Sequence, residues 1–414
     1  MKILVDQNIP LADELFGSIG EVTSVSGRAV DAEYPGLEEF DALAIRSVTE
    51  VTPALIDAAR NVKFIGTATI GTDHIDTDYI ERLNASGERS IVVVSAPGSN
   101  ADSVADWVWY ALAHVTGRAG EPLSGSTLGI VGHGNCGSRV AARAAGFGMR
   151  ILRYDPPLQG RDPEFVSDAF DETMAADFVT CHVPLTRTGE SAYPTYHMID
   201  DEALGLMQED ALLVNSSRGA VVDSEALITA LDEGRIRAAL DVYEGEPEPW
   251  PELIDRPLIA TPHIAGYAVE GKRRGAVMIY EAMCEEFGLE PIDTSPLMTR
   301  GFGPEIGVKV EFPTGGAPAQ DADGALRALM KCIYDIGATS RKLKGTPGMA
   351  DRGKLFDRMR KEYAREQERH ELALYRASIA ESVPTTLRGE ITARLRAFGM
   401  AVTDEAPHYV LTAR

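Results

Sequence analysis

The chain has 414 residues, enough for two or three domains, and its 44% hydrophobic and 25% charged residues are an ordinary balance for a globular protein. With 63 acidic and 40 basic residues it carries a net charge of -23, which argues against nucleic acid or an anionic membrane surface as a partner. An anionic substrate must therefore be drawn in by a local basic group, against the global field. Cys136, Cys181, Cys284 and Cys332 lie far apart with no C-x-x-C spacing, as expected of free thiols in a reducing cytoplasm. The opening residues 1–6 read as a strand rather than a signal peptide, and no apolar run reaches the roughly 18 residues of a membrane helix.

In chain order, residues 2–5 are apolar and β-rich, and 11–19 have helical spacing. Residues 42–45 read as a buried strand, 54–59 as a helix, and 64–66 and 91–94 as further strands. Such alternation predicts an α/β unit with parallel strands. Pro97-Gly98-Ser99-Asn100 breaks the pattern, and a helix carrying Trp107, Trp109 and Tyr110 follows over about 102–114. Strands are then predicted at 127–131, 150–154, 178–182, 211–215, 238–242 and 258–260, with helices at 138–147 and 223–233 among them, the alternation of a doubly wound sheet. A long helix is expected over about 269–287 and a linker at 291–296. The remainder has mixed strands and helices and no nucleotide fingerprint.

Gly132, Gly134 and Gly137 form G-x-G-x-x-G directly after a predicted strand and at the opening of a predicted helix. Glycines there permit a tight turn and let the backbone approach a pyrophosphate, which the unpaired N–H groups of the helix start attract. Asp155, at the end of the next strand, is placed to bind the ribose hydroxyls of the adenosine and to repel a 2′-phosphate, which favours NAD. His133, between the first two glycines, is bulkier than the usual residue.

Three later stretches carry the chemistry: Asn215-Ser216-Ser217-Arg218-Gly219, Asp241-Val242-Tyr243-Glu244-Gly245-Glu246-Pro247 and Pro262-His263-Ile264-Ala265-Gly266-Tyr267. Arg218 can grip a planar carboxylate with two parallel hydrogen bonds. His263 can take a hydroxyl proton near working pH. A carboxylate, Glu246 or Glu244, can hold the imidazole and favour its charged form. His182 reads as part of a cofactor-lining loop and His74 as a turn residue, and the histidines are too scattered for a metal site. The basic run Arg352, Lys354, Arg358, Arg360 and Lys361 reads as a solvated helix, with Asp357–Lys361 and Arg358–Glu362 spaced as i,i+4 pairs.

Together with the glycine fingerprint, these stretches resemble the D-isomer-specific 2-hydroxyacid dehydrogenases. Gly66-Thr-Ala-Thr69-Ile-Gly-Thr-Asp-His74, Ala96-Pro-Gly-Ser-Asn100, Asp155-Pro-Pro157 and Gly266-Tyr267-Ala-Val-Glu270-Gly-Lys272-Arg-Arg-Gly275 are similar to the erythronate-4-phosphate dehydrogenase branch of that family. The likeness runs from Met1 to about Phe287 and resumes in Phe356-Asp-Arg-Met-Arg360-Lys-Glu-Tyr363, although the Arg-Arg-Glu that usually follows is altered here to Arg365-Glu-Gln-Glu-Arg369. The resemblance implies a Rossmann-like NAD-binding domain (residues 98–266) inserted in a flavodoxin-like substrate or lid domain (1–97 and 267–292), with a C-terminal α+β dimerisation domain (293–414). Because the family places its carboxylate just before the proline, the resemblance selects Glu246 and implies Arg218, Glu246 and His263 as catalytic residues. It assigns Gly132, Gly134, Asn135, Cys136, Gly137, Asp155, Val183, Ser216, Ser217, Arg218, Asp241 and Gly266 to NAD, and Ser47, Thr69 and Tyr267 to the substrate. The implied reaction is NAD-dependent oxidation of 4-phospho-D-erythronate to (R)-3-hydroxy-2-oxo-4-phosphooxybutanoate, in the biosynthesis of pyridoxal 5′-phosphate, by a cytoplasmic homodimer. Two alternatives stand beside it: another D-2-hydroxyacid dehydrogenase such as 3-phosphoglycerate dehydrogenase, and, in a different class, an NADH-sensing corepressor-like binding protein.

Overall fold

Strand-forming residues and helical spacing alternate along most of the chain, and the computed structural model turns that alternation into three parallel sheets. It describes residues 1–299, 307–311, 321–345, 352–366, 369–403 and 410–412. Gln367 and Glu368 of the altered C-terminal stretch lie outside these residues. Contacts divide the chain into two units: Met1–Asn100 with Ala268–Phe302, and Ala101–Tyr267 with Gly303–Arg414.

The first unit is built on strands β1 (Lys2–Asp6), β2 (Glu21–Val25), β3 (Ala42–Ile45), β4 (Phe64–Thr67) and β5 (Val92–Val94). They lie in the order β2-β1-β3-β4-β5, every neighbour parallel, which is the flavodoxin-like order. β3 and β4 are buried throughout, and each face of the sheet carries its own apolar cluster. Helix Val269–Phe287 supplies Ile279, Tyr280 and Met283 to one of them. Gly66 on β4 allows this helix to lie close, since a Cβ there would stand 3.1 Å from Cβ of Ile279.

The second unit contains β6 (Thr127–Val131), β7 (Arg150–Tyr154), β8 (Phe178–Cys181), β9 (Leu212–Asn215), β10 (Arg237–Leu240) and β11 (Ile259–Ala260), ordered β11-β10-β9-β8-β6-β7 and again all parallel. β7 lies on one side of β6 and β8 on the other, so the order reverses at β6/β8. A crevice opens at such a switch point, beyond the carboxyl ends of the strands. The expected C-terminal α+β segment takes the form of a four-stranded sheet, β12 (Gly307–Val310), β13 (Arg376–Ile379), β14 (Ala401–Val402) and β15 (Val410–Thr412), with all its pairings parallel. Its Val308, Val310 and Ala377 share one buried cluster with Leu128 and Ile130 of β6 and with the long helix Ala101–Ala119. In that cluster Trp109 stacks on Phe147 at 4.6 Å and meets Phe398 edge-on at 5.5 Å, which ties the C-terminal segment into the nucleotide sheet's core.

Candidate active site

The three chemistry-bearing stretches converge because β9, β10 and β11 are adjacent and in register. Asn215 pairs with Leu240, and Leu240 with Ala260. Arg218 follows its strand end by three residues, Asp241 by one and His263 by three, so all emerge at one edge of the sheet.

His263 and Glu246 form the centre. Nδ1 of His263 lies 2.7 Å from Oε2 of Glu246, and Oε1 of Glu246 accepts the backbone N–H of Tyr243 at 2.8 Å. Burial by itself would push the Glu246 carboxyl up, but attraction to His263, their hydrogen bond and the Tyr243 N–H hold it below its ordinary value. The competing acid, Glu244, is engaged elsewhere: it meets Nε2 of His197 at 3.1 Å and accepts from Ser224 Oγ at 2.8 Å. With Nδ1–H donated to a carboxylate, Nε2 of His263 is left as the acceptor. The side chain keeps 35% of its surface exposed, enough for a substrate to reach it.

The loop under His263 is over-determined. His263 sits at φ 54, a region that a side chain other than glycine occupies at a cost. Asp241 holds it there: its backbone oxygen accepts His263 N at 2.8 Å, Oδ1 accepts from Thr261 Oγ1 at 2.5 Å and Ile264 N at 2.8 Å, and Oδ2 accepts Ala265 N at 2.7 Å. Burial pushes the Asp241 carboxyl up, opposed by His263 and these bonds. Trp107 Nε1 donates to Thr261 Oγ1 at 3.1 Å, linking the long helix to the same bracing. Assigned to the cofactor by resemblance, Asp241 is thus fully buried with both oxygens engaged by the loop that carries His263.

Arg218 ends a turn shaped by Asn215. Oδ1 of Asn215 accepts Ser217 N at 3.1 Å and Ser217 Oγ at 2.8 Å, while Nδ2 donates to Arg218 O at 2.9 Å. Gly219 then passes so close to Tyr243 that any Cβ would collide with its backbone, and the arginine loop and the glutamate loop touch main chain to main chain. Ser216 Oγ is buried and has no hydrogen-bond partner among the described residues, a group left for a ligand to satisfy.

The glycine turn lies at the switch point. Gly132 takes φ 93, and a Cβ there would stand 2.7 Å from the His182 carbonyl oxygen; one on Gly137 would strike the Gly132 carbonyl. Gly134, by contrast, faces open space, and helix Asn135–Gly146 begins there with no side-chain cap, with Asn135 exposed and Cys136 half-buried in its first turn. Val183 adjoins Gly132. Asp155 is fixed beside the turn, Oδ2 accepting His133 N at 2.8 Å and Oδ1 accepting Leu158 N at 2.9 Å. His133 stacks on Phe165 at 5.3 Å, packing aside the bulk that the sequence places between the glycines. His182 binds Thr180 Oγ1 at 2.9 Å, and burial, then His133, push its imidazole down to about 3, which makes it a poor proton acceptor.

Tyr267 and Gly266 follow His263 as half-buried residues. Arg360, on helix Arg352–Glu366, donates to the Tyr267 hydroxyl at 3.3 Å with its guanidinium 6.0 Å from the ring. Its helix is therefore not simply a solvated one: Arg358 pairs with Glu362 at 3.7 Å on the outside, while Phe356, Met359 and Tyr363 are buried. The basic character of the run hid this face from sequence reading. In the first unit, Thr69 Oγ1 lies 2.7 Å from Thr67 Oγ1, which meets His74 Nε2 at 3.0 Å; His74, read as a turn residue, is buried and supports Thr69. Ser47, in the same unit, is exposed just beyond β3. Arg273 donates to the carbonyls of Leu297 and Met298, and Arg274 to that of Ser99, so both brace their own unit. Among the described residues, no group of three or more His, Cys, Asp or Glu could hold a metal ion, and no helix is long and apolar enough to cross a membrane.

A sheet with a glycine turn at its switch point and an arginine, a glutamate and a histidine at its next strand ends defines a 2-hydroxyacid dehydrogenase. Residues 99–265 match the NAD binding domain of D-isomer specific 2-hydroxyacid dehydrogenases. The NAD-bound 3-phosphoglycerate dehydrogenase of Entamoeba histolytica superposes with a TM-score of 0.56 at 26% identity, over 70% of this chain and 96% of that one. Erythronate-4-phosphate dehydrogenase of Proteus mirabilis is 39% identical over 88% of this chain and 93% of its own length, and that of Pseudomonas aeruginosa 41% over 88% and 92%. The chain belongs to the erythronate-4-phosphate dehydrogenase family.

Proposed function

We propose that this enzyme oxidises 4-phospho-D-erythronate at C2 to (R)-3-hydroxy-2-oxo-4-phosphooxybutanoate with NAD, in the formation of pyridoxal 5′-phosphate. The observation that carries the chemistry is the His263–Glu246 pair at 2.7 Å, on strand ends adjoining that of Arg218. The named substrates of the full-length relatives support the choice of hydroxy acid. Those relatives span 88% of this chain, whereas the 3-phosphoglycerate dehydrogenase structure accounts for 70% of it, so the C-terminal segment favours the phosphoerythronate reading.

The residues present fit NAD. Gly134 leaves open space at an uncapped helix start, Ser216 Oγ has a hydrogen bond to give, and the Asp155 carboxylate opposes a 2′-phosphate. When bound, NAD supplies the acceptor for the hydride that leaves C2. Arg218 orients the substrate carboxylate. His263 removes the C2 hydroxyl proton through Nε2, and ionised Glu246 stabilises the imidazolium that results. In the reverse direction the imidazolium returns the proton. Ser47, Thr69 and Tyr267 join the substrate groups in this reading.

The same reading makes the protein a cytoplasmic homodimer, with residues 293–414 supplying the dimer surface. Saturation kinetics against 2-hydroxy acids with and without a 4-phosphate test the function. 4-Phosphoerythronate should have the highest kcat/KM, with erythronate losing in both KM and kcat because remote binding energy aligns the reacting carbon. Equal kcat/KM for the two would overturn the substrate assignment and leave the dehydrogenase class standing.

A further inference from the structure

A cavity of about 450 Å³ lies within the second unit, between the C-terminal helices and the loop that carries the catalytic histidine. Pro262, the residue before His263, forms part of its wall. Tyr334, Tyr363 and Tyr375 line it too, the first two meeting edge-to-face at 6.1 Å. The described lining residues include two cations. Arg369, only 6% exposed, donates Nη2 to the carbonyls of Ala265 at 2.5 Å and Ser103 at 3.2 Å, yet its Nη1 is buried and has no hydrogen-bond partner among the described residues. Lys342 is 58% exposed, and its 3.6 Å pairing with Glu362 is a weak surface contact. Among the described lining residues the one carboxylate, Asp335, is already committed: it caps the helix Ile336–Lys344 through Ala338 N at 3.0 Å and pairs with Arg341 at 3.6 Å.

A buried guanidinium with an unspent donor costs free energy until an acceptor reaches it. A half-open cleft of this size with aromatic walls and a few polar groups is the build of a small-molecule site. We propose that the cavity binds a small organic anion, its phosphate or carboxylate head held by Arg369 and Lys342 and its flat apolar body lying among the tyrosines, and that the bound anion slows turnover. The coupling has a physical route. Arg369 holds the Ala265 carbonyl, two residues beyond His263, and Pro262 is the residue before it. An anion on Nη1 pulls on the same guanidinium that, through Nη2, holds the loop carrying His263. The effect falls on kcat, with the KM for the 2-hydroxy acid little changed, because the loop positions the base rather than the substrate carboxylate.

The test uses the full chain loaded with NAD. Phenyl phosphate and benzoate are titrated calorimetrically, with benzamide as the neutral counterpart. One molecule of at least one anion should bind per chain, benzamide at least tenfold more weakly, and saturating 4-phosphoerythronate should not displace the anion. Ala338→Trp, at the exposed edge of the cavity and outside the catalytic machinery, should weaken anion binding at least tenfold while leaving kcat unchanged without the anion. Lys342→Gln should weaken it about threefold. In the native chain the bound anion should lower kcat at least twofold. Binding by neither anion, equal binding of benzamide, undiminished binding to a folded Ala338→Trp, or displacement by 4-phosphoerythronate overturns the proposal. Calorimetric binding is read without turnover, so a chain that failed to oxidise 4-phosphoerythronate would discredit the substrate assignment separately.

Discussion

Nδ1 of His263 stands 2.7 Å from Oε2 of Glu246, while Glu244, two residues earlier on the same loop, is bound to His197. The two carboxylates thus have different partners, and only Glu246 touches His263. His263→Ala should lower kcat roughly 10²–10⁴-fold and leave NADH binding nearly intact, measured by steady-state kinetics and fluorescence titration. Glu246→Gln should cost less, about tenfold to a hundredfold in kcat, because the negative charge that stabilises the imidazolium is gone. Glu244→Gln should leave kcat within about twofold of the native value, since Glu244 binds His197 and not His263.

Acid stability should follow the same pair. The folded-state pKa of Glu246 is depressed, so its contribution is present above the unfolded value and is lost as pH falls through the folded one. Melting curves should show the native chain more stable than Glu246→Gln near neutrality, with the gap closing below about pH 4. A gap that widens in acid would mean burial outweighs His263.

Gly219→Ala should damage the site without touching a catalytic side chain. The added methyl collides with the Tyr243 backbone and must part the arginine loop from the glutamate loop. A displacement near 1 Å there should cost roughly 10²-fold in kcat/KM, with about 1–3 kcal/mol lost in denaturant unfolding. Near-native values on both counts would show that the loops can separate freely.

NAD should be preferred to NADP by roughly a hundredfold or more in kcat/KM, since a 2′-phosphate would face the Asp155 carboxylate. Asp155→Ala should narrow the gap. Arg153, the nearest cation on the strand, has its guanidinium 5.3 Å from the Phe165 ring centroid. A reversed preference in the native enzyme would mean that it leaves this ring to accept the phosphate.

Light scattering should give twice the chain mass in solution, as expected of a two-fold assembly through residues 293–414. A chain cut near Pro291 loses Val308, Val310 and Ala377 from the cluster that covers β6, and should be insoluble or at best monomeric. A well-behaved dimer of the truncated chain would place the interface elsewhere.

Local signals made much of the nucleotide unit legible. The strand at residues 127–131 and the long helix at 269–287 match the observed bounds, because each has an apolar period and a sharp glycine or proline boundary. β2 escaped notice: it is a sheet edge whose Glu21 and Ser24 face outward, so it lacks an apolar run. Helix Thr77–Ser86 escaped too, with Ile80 its one buried side chain.

The sequence by itself determined which residue types could do the chemistry: an arginine, a histidine, two nearby glutamates and a glycine turn followed by an acid. Those are properties of side chains and short spacings. Only the tertiary structure decided which glutamate serves His263, because the partner of each carboxylate lies 17 residues or more away in the chain. It also decided that Asp241 braces the histidine loop, that Gly219 joins two loops, and that Arg360 and Arg369 reach back to Tyr267 and Ala265. The physical reason is common to all four. Parallel strands bring distant segments to one sheet edge, and the bonds made there depend on register and distance, which no local spacing encodes.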